Sequence, residues 1–229
     1  MIISVHIPKT AGTSFAKNLE AYFRAGLLKD YDDLPTNTPQ YERNRAALLA
    51  SVHNAETDQL TGVACIHGHF LPLKYLLLSV KKDLRFITWM RNPVERVLSH
   101  YHYLKSFYDP ATAPTLHRKM IEEEWSVERF CLAPELQNLY GQFLWGFPLE
   151  YFDFIGITEY YDEDLAYFSG QYLNTNLEPH RENMGKNEGG SYQIEASFRE
   201  KLEQFHAYDF ELYRAALFMR KKRLSDLKA

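Results

Sequence analysis

"IISVHIPKTAGTSFAKNLEAYF", residues 2–23, decides how the rest of the chain is read. Ile2 to Ile7 is a short β-favouring run bounded by Pro8, the pattern of a buried strand. From Thr13 onward, Phe15, Ala16, Leu19, Tyr22 and Phe23 follow helical spacing, which predicts a helix ending near Gly26. Lys9, Thr10, Ala11, Gly12, Thr13 and Ser14 lie between the two. Such a loop suits an anion, because a helix N-terminus offers free N–H groups and the positive end of the helix dipole. Gly12 allows close backbone approach, the hydroxyls add donors, and Lys9 adds a flexible positive charge. The loop is not a P-loop, in which Lys follows the second of two glycines; here Lys9 precedes Gly12. A plain helix cap fits the same residues, with Thr13 or Ser14 capping and Lys9 solvated.

The pattern repeats outward. "GVACIHGHF" (62–70) reads as a second strand running into a turn, "LRFITWM" (84–90) as a third and "FDFIGIT" (152–158) as a fourth. "NPVERVLSHYHYLKSF" (92–107) reads as a helix with Pro93 at its first position. Further helices are predicted over 41–53, 162–173 and beyond Tyr192, with loops at 32–40 and 174–191. Residues 108–150 read as mostly helical, a flap over the sheet. Strands alternating with helices imply a parallel sheet, so the expected fold is α/β: one domain over 1–229, a central parallel sheet flanked by helices. In such sheets ligands bind at the carboxyl ends of the strands. Lys9–Ser14, His67–His69 and Arg91 all fall at those ends.

Arg91 directly follows a strand and suits a bidentate pair with a phosphate; Ser99 lies on the helix that follows. The competing account makes Arg91 and Glu95 a surface ion pair and Ser99 an ordinary helical serine. In "CIHGHF", a continued strand would put Cys65, His67 and His69 on one face. That set suits a general base, a buried hydrogen-bonded pair or, least well, a zinc site lacking a further ligand. His100 and His102 read as structural or surface residues.

Composition sets the outer limits. The 229 residues carry a net charge of −4, which excludes broad nucleic-acid binding. Cys65 and Cys131, the only two cysteines, form no disulfide framework and suggest a reducing compartment. No apolar run approaches the roughly 20 residues of a membrane span, and the start lacks a signal-peptide pattern, so the expectation is a cytoplasmic protein. "RKKR" (220–223) reads as a solvated helix terminus.

In this order and spacing, the motifs resemble the sulfotransferases that use 3′-phosphoadenosine 5′-phosphosulfate (PAPS). "HIPKTAGTSF" is similar to their 5′-phosphosulfate loop and "RNPVERVLSHYHY" to their 3′-phosphate motif. "HGHF", "FIGITEYYDEDLAYF" and "HRENMGKNEGG" resemble segments of the uronyl, heparan sulfate 2-O-sulfotransferase branch. The resemblance runs from residue 4 to about 190 and implies the P-loop-like sulfotransferase fold. It implies that Lys9 contacts the bridging and sulfuryl oxygens, and that Thr10, Ala11, Gly12, Thr13 and Ser14 cradle the 5′-phosphate. Arg91 and Ser99 would hold the 3′-phosphate. His69 would be the base, supported by His67, with Asn183 and Lys186 on the nucleotide and Arg181 on the acceptor. The implied reaction moves a sulfuryl group to an acceptor hydroxyl and releases adenosine 3′,5′-bisphosphate without a metal. The chain lacks the anchor and stem of the heparan-type enzymes and is shorter, which points to a soluble bacterial member. Its acceptor would be a glycan, a lipid-linked sugar or a small metabolite. A nucleoside-triphosphate-dependent kinase and a non-catalytic nucleotide-binding module are the competing readings.

Overall fold

A computed structural model describes residues 1–33, 38–57, 59–180 and 191–226. The chain runs β1 (Ile2–Val5), α1 (Gly12–Phe23), β2 (Leu27–Asp30), α2 (Gln40–Glu56), β3 (Cys65–Gly68), α3 (Leu73–Leu76), β4 (Arg85–Met90) and α4 (Pro93–Ser106). It continues through α5 (Thr115–Glu122), α6 (Val127–Cys131), α7 (Leu139–Phe143), β5 (Phe154–Ile157), α8 (Tyr161–Tyr172), α9 (Ala196–Phe205) and α10 (Ala207–Asp226). The strands form one parallel sheet in the order β2-β3-β1-β4-β5. The fold is therefore α/β, with a central parallel sheet flanked by helices.

Alternation along each strand divides the core. Ile2, Cys65, Ile87, Trp89 and Phe154 face α1 and α8, where they meet Phe15, Leu19, Leu165 and Phe168. Ile3, Val5, Ile66, Phe86, Met90, Ile155 and Ile157 face the opposite way, onto Leu139, Tyr140 and Phe143 of α7 and Tyr213 and Ala216 of α10. Phe15 and Leu19 are wholly buried; sequestering each contributes about 1.5–3 kcal/mol. A third cluster joins α4 to α5, α6, α9 and the start of α10 through Val97, Leu98, Leu116, Phe130, Leu202 and Phe210. The 108–150 stretch is thus only in part a cover for the sheet: α7 packs on it, whereas α5 and α6 pack on α4.

β2 is the strand that sequence patterning does not predict. It is an edge strand of sequence LLKD, with only Asp30 buried. Gly68 explains how it fits: a Cβ there would come within 1.6 Å of the Asp30 carbonyl oxygen. Any side chain would push β2 off β3.

The "RKKR" run is not a solvated terminus. Arg220 and Arg223 turn inward, and both pair with Asp164, at 2.9 and 2.8 Å. Arg220 also bonds Glu163, and Arg223 donates to the carbonyl of Ile155. A spacing of three residues puts both arginines on one helical face. Both cysteines are free and buried, and the Cys65 thiol is held protonated by burial. Among the described residues no helix is long and apolar enough to cross a membrane.

Candidate functional site

β1 lies between β3 and β4, and the chain leaves it toward β2 on one side and reaches β4 on the other. This is the switch point of an open parallel sheet, where a crevice forms beyond the strand ends. The residues following β1, β3 and β4 line that crevice.

After β1 the backbone turns sharply. Lys9 and Ala11 both adopt left-handed conformations, at φ 71° and φ 67°, and Thr10 between them does not. For residues other than glycine each such conformation costs on the order of 1–3 kcal/mol, and alternating turns of this kind aim successive N–H groups into one concavity. α1 then starts at Gly12 with Ala11 as its N-cap, without a side-chain cap and without an acidic residue in its first turn. The account in which Thr13 or Ser14 caps the helix is therefore set aside. Thr13 is exposed and Ser14 buried within the first turn. The Thr10 hydroxyl donates to the carbonyl of Ile7 at 2.8 Å, so it holds the loop.

The second helix at this edge differs. The Asn92 side chain caps α4, accepting from the N–H groups of Val94 and Glu95. The N-cap of α4 thus supplies a side-chain cap, whereas that of α1, Ala11, supplies none. Arg91 stands between β4 and α4. Among the described residues its guanidinium makes no hydrogen bond or ion pair. Glu95 is not its partner: it is buried, pairs with Arg199 and accepts from the N–H of Tyr192.

Lys9 reaches across to α4, its Nζ lying 3.9 Å from the centre of the Tyr103 ring. Burial, together with the positive charge of Arg91, lowers its pKa to about 8. Two cations thus face one space without a paired carboxylate among the described residues. Ser99, half-exposed, sits one helical turn before Tyr103 on the same side of α4.

Three imidazoles stand beside this loop. β3 ends at Gly68, so His69 lies just past the strand, yet its ring packs 4.4 Å from that of His6. His67 stacks on His6 at 5.2 Å. His69 Nδ1 donates to the backbone carbonyl of His6 at 2.5 Å. A carbonyl only accepts, so this contact puts the proton on Nδ1 and leaves the Nε2 lone pair free. Burial lowers the pKa of His69, while the His6 carbonyl and Asp33 oppose the shift. His67 is 1% exposed, bonds Ser4 Oγ through Nδ1 and has its pKa lowered to about 3, chiefly by burial. It is a support within the sheet rather than a group at the surface of the crevice. Cys65 is buried in the core below, away from His69. Among the described residues no group of three or more His, Cys, Asp or Glu is disposed to hold a metal ion.

Gly12 ties the two halves together. A Cβ on Gly12 would fall 1.9 Å from Nε2 of His6, so the Lys9–Ser14 loop and the histidine stack are in direct contact. His6, Tyr31, Tyr103 and His100 complete the crevice and are missed by motif reading. Tyr31 follows β2, bonds His6 Nδ1 at 3.2 Å and meets His69 edge-on at 4.9 Å. His100 has a buried Nδ1 without a partner among the described residues, and its pKa is lowered by burial and then by Arg96, Lys9 and His69. His102 stacks on Tyr192. The period-two register of Ser4 and His6 was the available signal for His6; Tyr31 had none, because β2 was not predicted. Beyond His69, Asp33 and Arg43 form a two-pronged pair at 2.7 and 2.6 Å.

The structure therefore brings Lys9, Gly12, His67 and His69 together and sets Arg91 beside Lys9. Arg181, Asn183 and Lys186 lie outside the described residues. The arrangement can hold a multiply charged anion next to a neutral imidazole with a free lone pair. Comparison with protein-family models and with curated proteins returns no match.

Proposed function

We propose that this chain is a sulfotransferase that moves a sulfuryl group from PAPS to an acceptor hydroxyl. The observation that carries the reading is the junction at Gly12, where a strained helix N-terminus, whose N-cap supplies no side-chain cap, touches the stack that holds His69. An anion cradle and a base in contact are what in-line transfer at a charged centre requires.

The residues fit the nucleotide. The N-terminus of α1, whose N-cap supplies no side-chain cap, and Lys9 suit a 5′-phosphosulfate, and Arg91, whose guanidinium has no partner among the described residues, suits with Ser99 a separate 3′-phosphate. PAPS, when bound, supplies a sulfuryl group already joined to a phosphate leaving group. The N–H groups of the loop and Lys9 stabilise the negative charge that grows on that phosphate. His69 takes the proton of the acceptor hydroxyl on Nε2, while its Nδ1 proton stays on the His6 carbonyl. The transferred proton thus has a stated destination. Glycans, lipid-linked sugars and small metabolites are the acceptor classes to test, and an enzyme of the uronyl 2-O-sulfotransferase type is the nearest description.

Titration calorimetry tests the nucleotide half. Adenosine 3′,5′-bisphosphate is expected to bind without Mg²⁺ and more tightly than ATP. Tighter, Mg²⁺-dependent ATP binding would favour the kinase. Tight bisphosphate binding with no transfer to any acceptor would favour a non-catalytic module.

A further inference from the structure

Three side chains from elsewhere in the fold hold the turn between β4 and α4. The Thr158 hydroxyl donates to the carbonyl of Met90 at 3.1 Å. The Tyr140 hydroxyl accepts from the N–H of Arg91 at 2.9 Å and donates to the carbonyl of the same residue. The Glu159 carboxylate accepts from the N–H of Asn92 at 2.8 Å. One phenol thus satisfies both backbone polar groups of Arg91, whose own guanidinium is left without a partner among the described residues.

Tyr140 is itself fixed. It is wholly buried on α7, a single turn whose N-cap, Asn138, is left-handed and provides no side-chain cap. The cap comes from α10: Asp209 accepts from the N–H groups of Tyr140 and Gly141. His206 accepts from the N–H of Asn138 at 3.4 Å, and the Asn138 side chain accepts from the N–H of Asp209. The C-terminal helices, to which no motif gives a role, therefore reach Arg91 through one aromatic side chain.

We infer that Tyr140 is a positioning residue that presents Arg91 to the 3′-phosphate of the nucleotide, with Asp209 holding Tyr140 in place. The inference rests on the nucleotide reading above. A long, unpaired cation binds a phosphate well only when its backbone anchor does not wander, and side-chain bonds from neighbouring elements provide that anchor. An ordinary core tyrosine would satisfy its hydroxyl with one carbonyl; this one takes both groups of the residue that the 3′-phosphate needs.

The test compares two ligands on the full chain by calorimetry, adenosine 3′,5′-bisphosphate and adenosine 5′-monophosphate, which differ only in the 3′-phosphate. Tyr140→Phe is expected to weaken the bisphosphate about tenfold and the monophosphate by less than about twofold. Arg91→Ala is expected to remove the same discrimination, and the double variant to lose no more than Arg91→Ala alone. Equal weakening of both ligands by Tyr140→Phe, or none, would overturn the inference while the Arg91 result upheld the nucleotide reading. An unchanged ratio in Arg91→Ala would overturn that reading and the inference with it. If Tyr140→Phe does not fold, Asp209→Asn takes its place, since an amide oxygen of equal volume accepts more weakly. It is expected to give a selective loss of roughly threefold, and a loss shared by both ligands would overturn the inference.

Discussion

Nδ1 of His69 donates to the backbone carbonyl of His6, and that one bond fixes which nitrogen is free to accept a proton. Burial lowers the pKa of the same ring, so it stays neutral further into acid than an ordinary histidine. The sign follows for catalysis. The acid limb of kcat/KM is expected below pH 6.5, the ordinary histidine value. A pH–rate profile with its acid midpoint above 6.5 would count against His69 as the base.

Lys9 sets a second limit. Its pKa of about 8 arises from burial and from the neighbouring Arg91. A phosphate bound beside it would raise that value again. Binding of adenosine 3′,5′-bisphosphate at pH 8 is therefore expected to take up about half a proton from the buffer. Calorimetry in two buffers of different ionisation enthalpy measures the uptake directly, and Lys9→Met should abolish it. Equal enthalpies in both buffers for the parent chain would show that Lys9 does not face the anion.

Gly12→Ala places a methyl group 1.9 Å from His6 Nε2, on top of the His6 ring. The loop or the histidine stack has to move. Destabilisation of about 1–3 kcal/mol is expected from overpacking, together with loss of bisphosphate binding. Chemical denaturation and calorimetry on the same variant check both. Unchanged binding would mean that the loop and the stack are not mechanically joined.

Much of this was legible in the chain itself. Four of the five strands announce themselves as short β-favouring runs, and the strand–helix alternation gives the parallel sheet. β2 escapes because an edge strand of sequence LLKD has little to bury and no β-branched residue. Tyr31 escapes with it. The left-handed backbone at Lys9 and Ala11 is invisible in residue type, since glycine is the usual signal there and neither is glycine. The inward turn of Arg220 and Arg223 depends on Asp164, far away in sequence, so a basic run looks solvated until α8 and α10 are packed together. The clamp on Arg91 is likewise nonlocal: Tyr140 and Asp209 carry no motif, and Tyr140 meets Arg91, and Asp209 meets Tyr140, only through tertiary packing.

Buried neutral histidines also set the acid stability. His67 and His206 have folded-state values of about 3 and about 4, each through burial first. In the unfolded chain both take up protons below about 6.5. Their contribution is complete above that value and is lost as pH falls toward the folded values, at up to about 1.4 kcal/mol per pH unit for each. Asp209, raised to about 6 by burial, acts in the opposite sense between about 6 and its ordinary value of 3.8. His6 and His100, held well below the ordinary histidine value by burial, and His69, lowered more mildly, act in the same sense as the first two histidines, so the histidines outweigh one carboxyl and the net slope between pH 6 and 4.5 is expected to be a loss of at least about 1.4 kcal/mol per unit on acidification. Urea midpoints at pH 7, 6 and 5 measure it. A midpoint that rises toward pH 5 would contradict this balance.

The most direct measurement is transfer of labelled sulfate from PAPS to a panel of hydroxyl acceptors by the parent chain, Lys9→Ala and His69→Ala. The parent is expected to label at least one acceptor, and each variant to lose roughly a hundredfold or more in rate while retaining the parent's circular dichroism spectrum. Transfer that survives undiminished in both variants would contradict the assignment of Lys9 and His69 to the reaction.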